Sequence, residues 1–134
     1  MAVALTSIAG VEKGAYVVYG VAAGEACDCI LIGTGSEVGL CIEAAKTLEG
    51  EGKKVRVVSM PCWELFEEQT EAYKKSVIDQ SIAVSCEAAT SFGWNTYSSK
   101  HVGIDGFGAS APAPQLYEKF GITADAVVAA AKSL

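Results

Sequence analysis

Positive charge is scarce in this sequence. Its 134 residues include one histidine, His101, a single arginine, Arg56, and scattered lysines, and the net charge is −6. No basic stripe is available to neutralise a nucleic-acid backbone, so nucleic-acid binding lacks its electrostatic basis. Enzymes that hold phosphosugars or nucleotides cluster Arg, His or Lys around the phosphate, and this chain has too few of them to build such a clamp alone. Long apolar runs are missing as well. None approaches the roughly 18 residues of a membrane-spanning helix, so no membrane association is expected. Met1 to Gly10 lacks the charged start and apolar core of a secretory leader. Cysteine is odd in number, with Cys27, Cys29, Cys41, Cys62 and Cys86, in a chain large enough to fold without staples. Reduced thiols in a reducing compartment are expected. Cys27-Asp28-Cys29 has no second cysteine pair and only a distant histidine, too few ligands for a tetrahedral zinc site.

What is present reads as a globular α/β domain. Hydrophobic residues make up 51% and charged residues 19%, enough apolar surface to offset chain entropy, and the length suits one domain. AYVVY (15–19) is β-branched and aromatic, hence a strand. CILIG (29–33) is near-continuously apolar, as in a strand buried on both faces. Val38, Cys41, Ile42, Ala45 and Leu48 share one face of a helix from Glu37 to about Glu51. KVRVVSM (54–60), SIAVSC (81–86) and HVGI (101–104) supply three more strands. Trp63–Phe66 reads as a short turn or helical cap and Thr70–Val77 as a short helix. A helix opened by Pro112 and Pro114 runs through Phe120, and Thr123 caps a last one to Leu134. Alternating strands and helices after residue 29 imply parallel pairing. The first strand reaches the second by too short a connection for a parallel crossover and is expected to run antiparallel to its neighbour. The expectation is a five-stranded mixed sheet with helices on both faces.

The richest stretch for chemistry is LIGTGSEV (31–38), a strand ending in Gly33-Thr34-Gly35-Ser36 before a helix. A dinucleotide fingerprint needs a third glycine, where Val38 stands, and an acidic residue about 20 positions on, where Ser59 and Met60 stand. Glu37 in the first turn answers the positive helix end and opposes a phosphate there. Thr34-x-x-Glu37 fits a capping box. A plain capped turn and a small anion or ligand site therefore both stay open. The ligand site would gather Thr34, Gly35, Ser36, Glu87 and Ser110, which fall at strand ends where α/β proteins place ligands. A free-standing enzyme using His101 and Glu87 as acid and base is a third reading, without a visible orienting partner. Trp63, Trp94 and the acidic group Glu64, Glu67, Glu68 and Glu71 read as packing and solvated surface, as do Lys74 and Lys75.

Gly10 with GVEKGAYVV, ILIGTGSEV, KVRVVSMPCWELFEEQ and GIDGFGASAPAPQLYEKFGIT resemble, in order and over nearly the whole chain, the C-terminal domain of transketolase. FGASAP (107–112) is the most specific element, and CWELF and SFGW resemble the photosynthetic branch. The resemblance implies a three-layer α/β/α unit with a mixed five-stranded sheet, one strand antiparallel. It implies a homodimeric transferase moving a two-carbon ketol unit from a ketose phosphate to an aldose phosphate. Its cofactors would be thiamine diphosphate and Mg or Ca, held by the preceding domains of the same chain, with no catalytic, cofactor or metal residue matched here. Residues 1–10 are then expected to be an interdomain linker remnant and 11–134 the domain itself. Chloroplast stroma or cytoplasm is the expected location. The stretch from Trp94 to Lys100 is shorter than the family's connection before the last strand.

Overall fold

The computed structural model describes residues 13–35, 37–87, 96–103 and 123–134. The linker expected over 1–10, Ser36, Trp94, Ser110 and the helix expected from Pro112 to Phe120 lie outside the described residues. In chain order the elements are β1 (Tyr16–Gly20), β2 (Cys29–Gly33), α1 (Glu37–Gly50), β3 (Val55–Ser59), α2 (Trp63–Glu67), α3 (Glu71–Val77), a 3-10 turn (Gln80–Ile82), β4 (Ala83–Glu87), β5 (Lys100–Gly103) and α4 (Ala124–Lys132). The strands make one sheet in the order β1-β3-β2-β4-β5. β2 pairs parallel with β3 and β4, and β4 parallel with β5.

β1 is antiparallel, but its partner is β3 rather than the strand that follows it in sequence. Both edges of β2 are taken by β3 and β4, and all five of its residues are buried, as its unbroken apolar run requires. The chain leaves β1 at Gly20, whose φ of +84° and close approach to Val55 O leave no room for a Cβ.

Period-two alternation sorts the strands onto two faces. On one, Cys41, Ala44, Ala45 and Leu48 of α1 and Val127, Val128 and Ala131 of α4 cover Leu31, Val55, Val57 and Val84. The buried stripe of α1 is rotated slightly from the expected one. Ala44 is inside, while Val38 and Ile42 are half-buried. α4 packs beside α1, and small alanines let two helices and a sheet approach closely. On the other face, Phe66, Val77 and Ile78 cover Ile30, Ile32 and Val58. Thr70 caps α3 by accepting from Tyr73 N at 3.1 Å, and Thr123 caps α4 by accepting from Ala126 N at 3.2 Å, as the sequence indicates for Thr123.

Candidate functional site

The carboxyl ends of β2 and β4 bring two of the anticipated residues together. Thr34, just past β2, donates through Oγ1 to Glu87 Oε2 at 3.1 Å. Parallel pairing in register, with Gly33 opposite Cys86, puts the residue after each of these side by side on one face. Gly33 lets α1 start this close to the sheet, since a Cβ there would lie 2.9 Å from Val38 N. Gly35 then turns the chain with a φ of +53°, a left-handed conformation natural to glycine. Ser36 and Ser110 lie outside the described residues, so only Thr34, Gly35 and Glu87 are placed.

The helix start is built differently from a capping box with Thr34 as cap. α1 opens at Glu37, which makes Glu37 its first residue rather than its third, and the Thr34 hydroxyl points to Glu87. Glu37 N donates to Thr34 O at 3.0 Å and Val38 N to Gly35 O at 3.3 Å. These are two of the backbone donors an anion at the helix start would use. Glu37 is itself 5% exposed, so two carboxylates, Glu37 and Glu87, stand at this end of the sheet. The arrangement suits hydroxyl or amine donors better than phosphate.

His101 does not stand as a free acid or base. Its Nδ1 lies 2.6 Å from Ser85 Oγ, which also meets Ser98 Oγ at 2.7 Å and Lys100 O at 3.4 Å. Ser85 is fully buried and pairs with His101 across the β4–β5 ladder. The cluster ties the last strand and residues 98–100 to the sheet. The lone Arg56 is 3% exposed. It donates through Nε to Val21 O at 3.2 Å, through Nη1 to Val77 O at 3.1 Å, and through Nη2 to Ala22 O at 2.8 Å and Glu25 O at 2.5 Å. All four acceptors are backbone carbonyls, so the guanidinium fastens the loop after β1 to the end of α3. Reading Arg56 only as a missing phosphate clamp overlooks this role. The signal for it is a charge in the middle of the otherwise apolar VRVV.

Glu64, Glu67, Glu68 and Glu71 are exposed as expected, but Lys74 is not simply solvated. It is half-buried and bridges Glu67 at 3.5 Å and Glu71 at 2.9 Å. Glu67 also accepts from Tyr97 OH at 2.7 Å. Burial first, and then this bond, raise the Tyr97 phenol above its ordinary range. Trp63 packs edge-on against Tyr97 with ring centroids 5.3 Å apart. All five cysteines are free. Cys27 and Cys29 pack against opposite faces of the sheet. Burial pushes the Cys29 thiol up to about 11. Among the described residues, no three His, Cys, Asp or Glu side chains gather closely enough to hold a metal ion.

Comparison with known proteins agrees with this architecture. The family model described as "Transketolase-like TK C-terminal domain" matches residues 14–123. The chain is 56% identical over 133 residues to "Transketolase-1, chloroplastic" of Arabidopsis thaliana, covering 96% of this chain and 18% of that protein. It is 54% identical over 134 residues to "Transketolase, chloroplastic" of Solanum tuberosum, with the same coverage. Among solved structures, transketolase from Leishmania mexicana superposes with a TM-score of 0.89 at 49% identity, over 98% of this chain and 19% of that one. The chain thus spans 18% of the length of these curated relatives. A mixed sheet whose one antiparallel strand stands at the edge, matched in fold to a solved transketolase and in sequence over most of its length, places this chain in the transketolase C-terminal domain family.

Proposed function

We infer that this chain serves as a structural, interface-forming part of a transketolase, whose ketol transfer between ketose and aldose phosphates is carried out by domains outside it. The observation that carries this reading is the family match over residues 14–123 in a chain that spans 18% of its chloroplastic relatives. On this reading residues 1–10 link the domain, residues 11–134, to the preceding domains of the same chain, and the assembled enzyme is a homodimer in the chloroplast stroma or cytoplasm.

Thiamine diphosphate and its Mg or Ca ion belong, in this reading, to those other domains. A diphosphate and a divalent metal ask for cationic or backbone N–H donors and a cluster of oxygen ligands. The described residues do not fit them. Arg56 is engaged by four carbonyls, the carboxylates at the strand end oppose a diphosphate, and among the described residues no three metal-ligating side chains gather to hold the ion. Titration of this chain with thiamine diphosphate and Mg²⁺ in a calorimeter is expected to show no binding heat. Binding at micromolar concentration would overturn the reading.

A second reading, a regulatory module for a small ligand or anion at Thr34, Gly35, Ser36, Glu87 and Ser110, is favoured by the bond between Thr34 and Glu87. Backbone amide shifts confined to Thr34, Gly35 and Glu87 on adding inorganic phosphate or a polyol would support it, and scattered or absent shifts would remove it.

A further inference from the structure

Two nucleophilic side chains meet beneath the first turns of α1. Cys41 and Cys86 are both fully buried and belong to the same apolar cluster. Cys86 stands opposite Gly33 in the β2–β4 ladder. The Cys41 sulfur occupies the space above that glycine, 3.1 Å from where a Cβ would be. A thiol from the helix and a thiol from the neighbouring strand therefore converge on one notch, close enough for each to bear on the other electrostatically. The other cysteines lie elsewhere. Cys29 pairs with Val55 at the opposite end of β2, Cys27 packs with the opposite face, and Cys62 stands just before α2 without a side-chain capping bond.

We propose that Cys41 and Cys86 form a reversible disulfide that ties α1 to β4. Two S–H bonds break and one S–S bond forms. Two electrons and two protons pass to a low-molecular-weight disulfide, which is cleaved to two thiols through a mixed-disulfide intermediate. The product is neutral, which suits an apolar site. A divalent metal held by the two thiolates would be neutral as well, but two thiols are too few ligands for a tetrahedral site, and no third metal-ligating side chain joins them among the described residues. The adjacent Cys86 thiol, and then burial, hold the Cys41 thiol well above its usual range, so little thiolate is present and exchange proceeds slowly, through local opening. The pair adjoins the strand end, because Cys86 precedes Glu87 and α1 begins two residues after Gly35. Oxidation would thus hold the helix start and Glu87 in fixed relation.

The test equilibrates the folded chain with oxidised and reduced glutathione, blocks remaining thiols, and measures intact mass and the peptide map. The expected result is a species lighter by about two hydrogens, linking the Cys41 and Cys86 peptides, and reversed by excess reduced glutathione. Its melting temperature should exceed that of the reduced chain. A triple variant, Cys27→Ser with Cys29→Ser and Cys62→Ser, should still form the link, whereas Cys86→Ala should not. No link under oxidising native conditions would overturn the proposal, as would one that joins other cysteines or forms only in denaturant.

Discussion

The two faces of the sheet are held down by different physics. Beneath α1 and α4 the strands present Leu31, Val55, Val57 and Val84 to alanine, leucine and valine side chains. Beneath α2 and α3 the same strands present Ile30, Ile32 and Val58, but also Arg56 and Ser85, with Tyr73 and Tyr97 reaching polar partners at 2.7 Å. The first face is stabilised by area removed from water and by close packing. The second depends on geometry as well, because each buried polar group there is costly unless its partner stays in place. One sheet therefore carries one side that tolerates chemical variety of equal volume and one that does not.

Three changes should sharpen that contrast. Leu31→Ala, at a fully buried position of the apolar face, is expected to cost about 4 kcal/mol by leaving a cavity. Leu31→Met, nearly volume-conserving, should cost under about 1.5 kcal/mol. Urea unfolding of both measures the difference, and equal losses would remove the packing argument. On the polar face the conservative change should not be mild. Arg56→Lys keeps the charge but offers one ammonium where a planar fork serves four carbonyls, so a loss of roughly 2–3 kcal/mol is expected. A loss below about 0.5 kcal/mol would show that the fork is dispensable.

The smallest effect is expected at Tyr97, whose acceptor Glu67 is half-exposed. Tyr97→Phe should cost about 1 kcal/mol at neutral pH. The phenol is raised in the folded chain, so its contribution is complete below the ordinary tyrosine value of about 10 and is lost as pH rises through the folded value. Melting curves above pH about 10 should therefore fall more steeply for the parent chain than for Tyr97→Phe. Parallel declines would detach Tyr97 from the alkaline loss.

Much of the fold was legible because local pattern and tertiary demand agree. The run CILIG could only be a strand covered on both sides, and it is the central strand with every residue buried. The spacing of Cys41, Ala45 and Leu48 announced the helix that covers it, and Thr123 announced the last helix. Period alone could not set the rotation of α1, because the packing of α4 beside it decides which small side chains turn inward. The candidate site was half legible. Strand ends drew attention to Thr34 and Glu87, but their spacing of 53 positions carries no hint that the hydroxyl of one donates to the carboxylate of the other.

Composition and pattern by themselves determined the α/β class, the antiparallel direction of β1 and the acidic net charge, because these follow from side-chain chemistry and chain connectivity. Only the tertiary structure decided that β1 lies against β3, that Arg56 is spent on carbonyls, that His101 leans on Ser85, and that Cys41 meets Cys86. Each of these joins residues far apart in the chain, and their meeting depends on strand order and register, which no local window of sequence encodes.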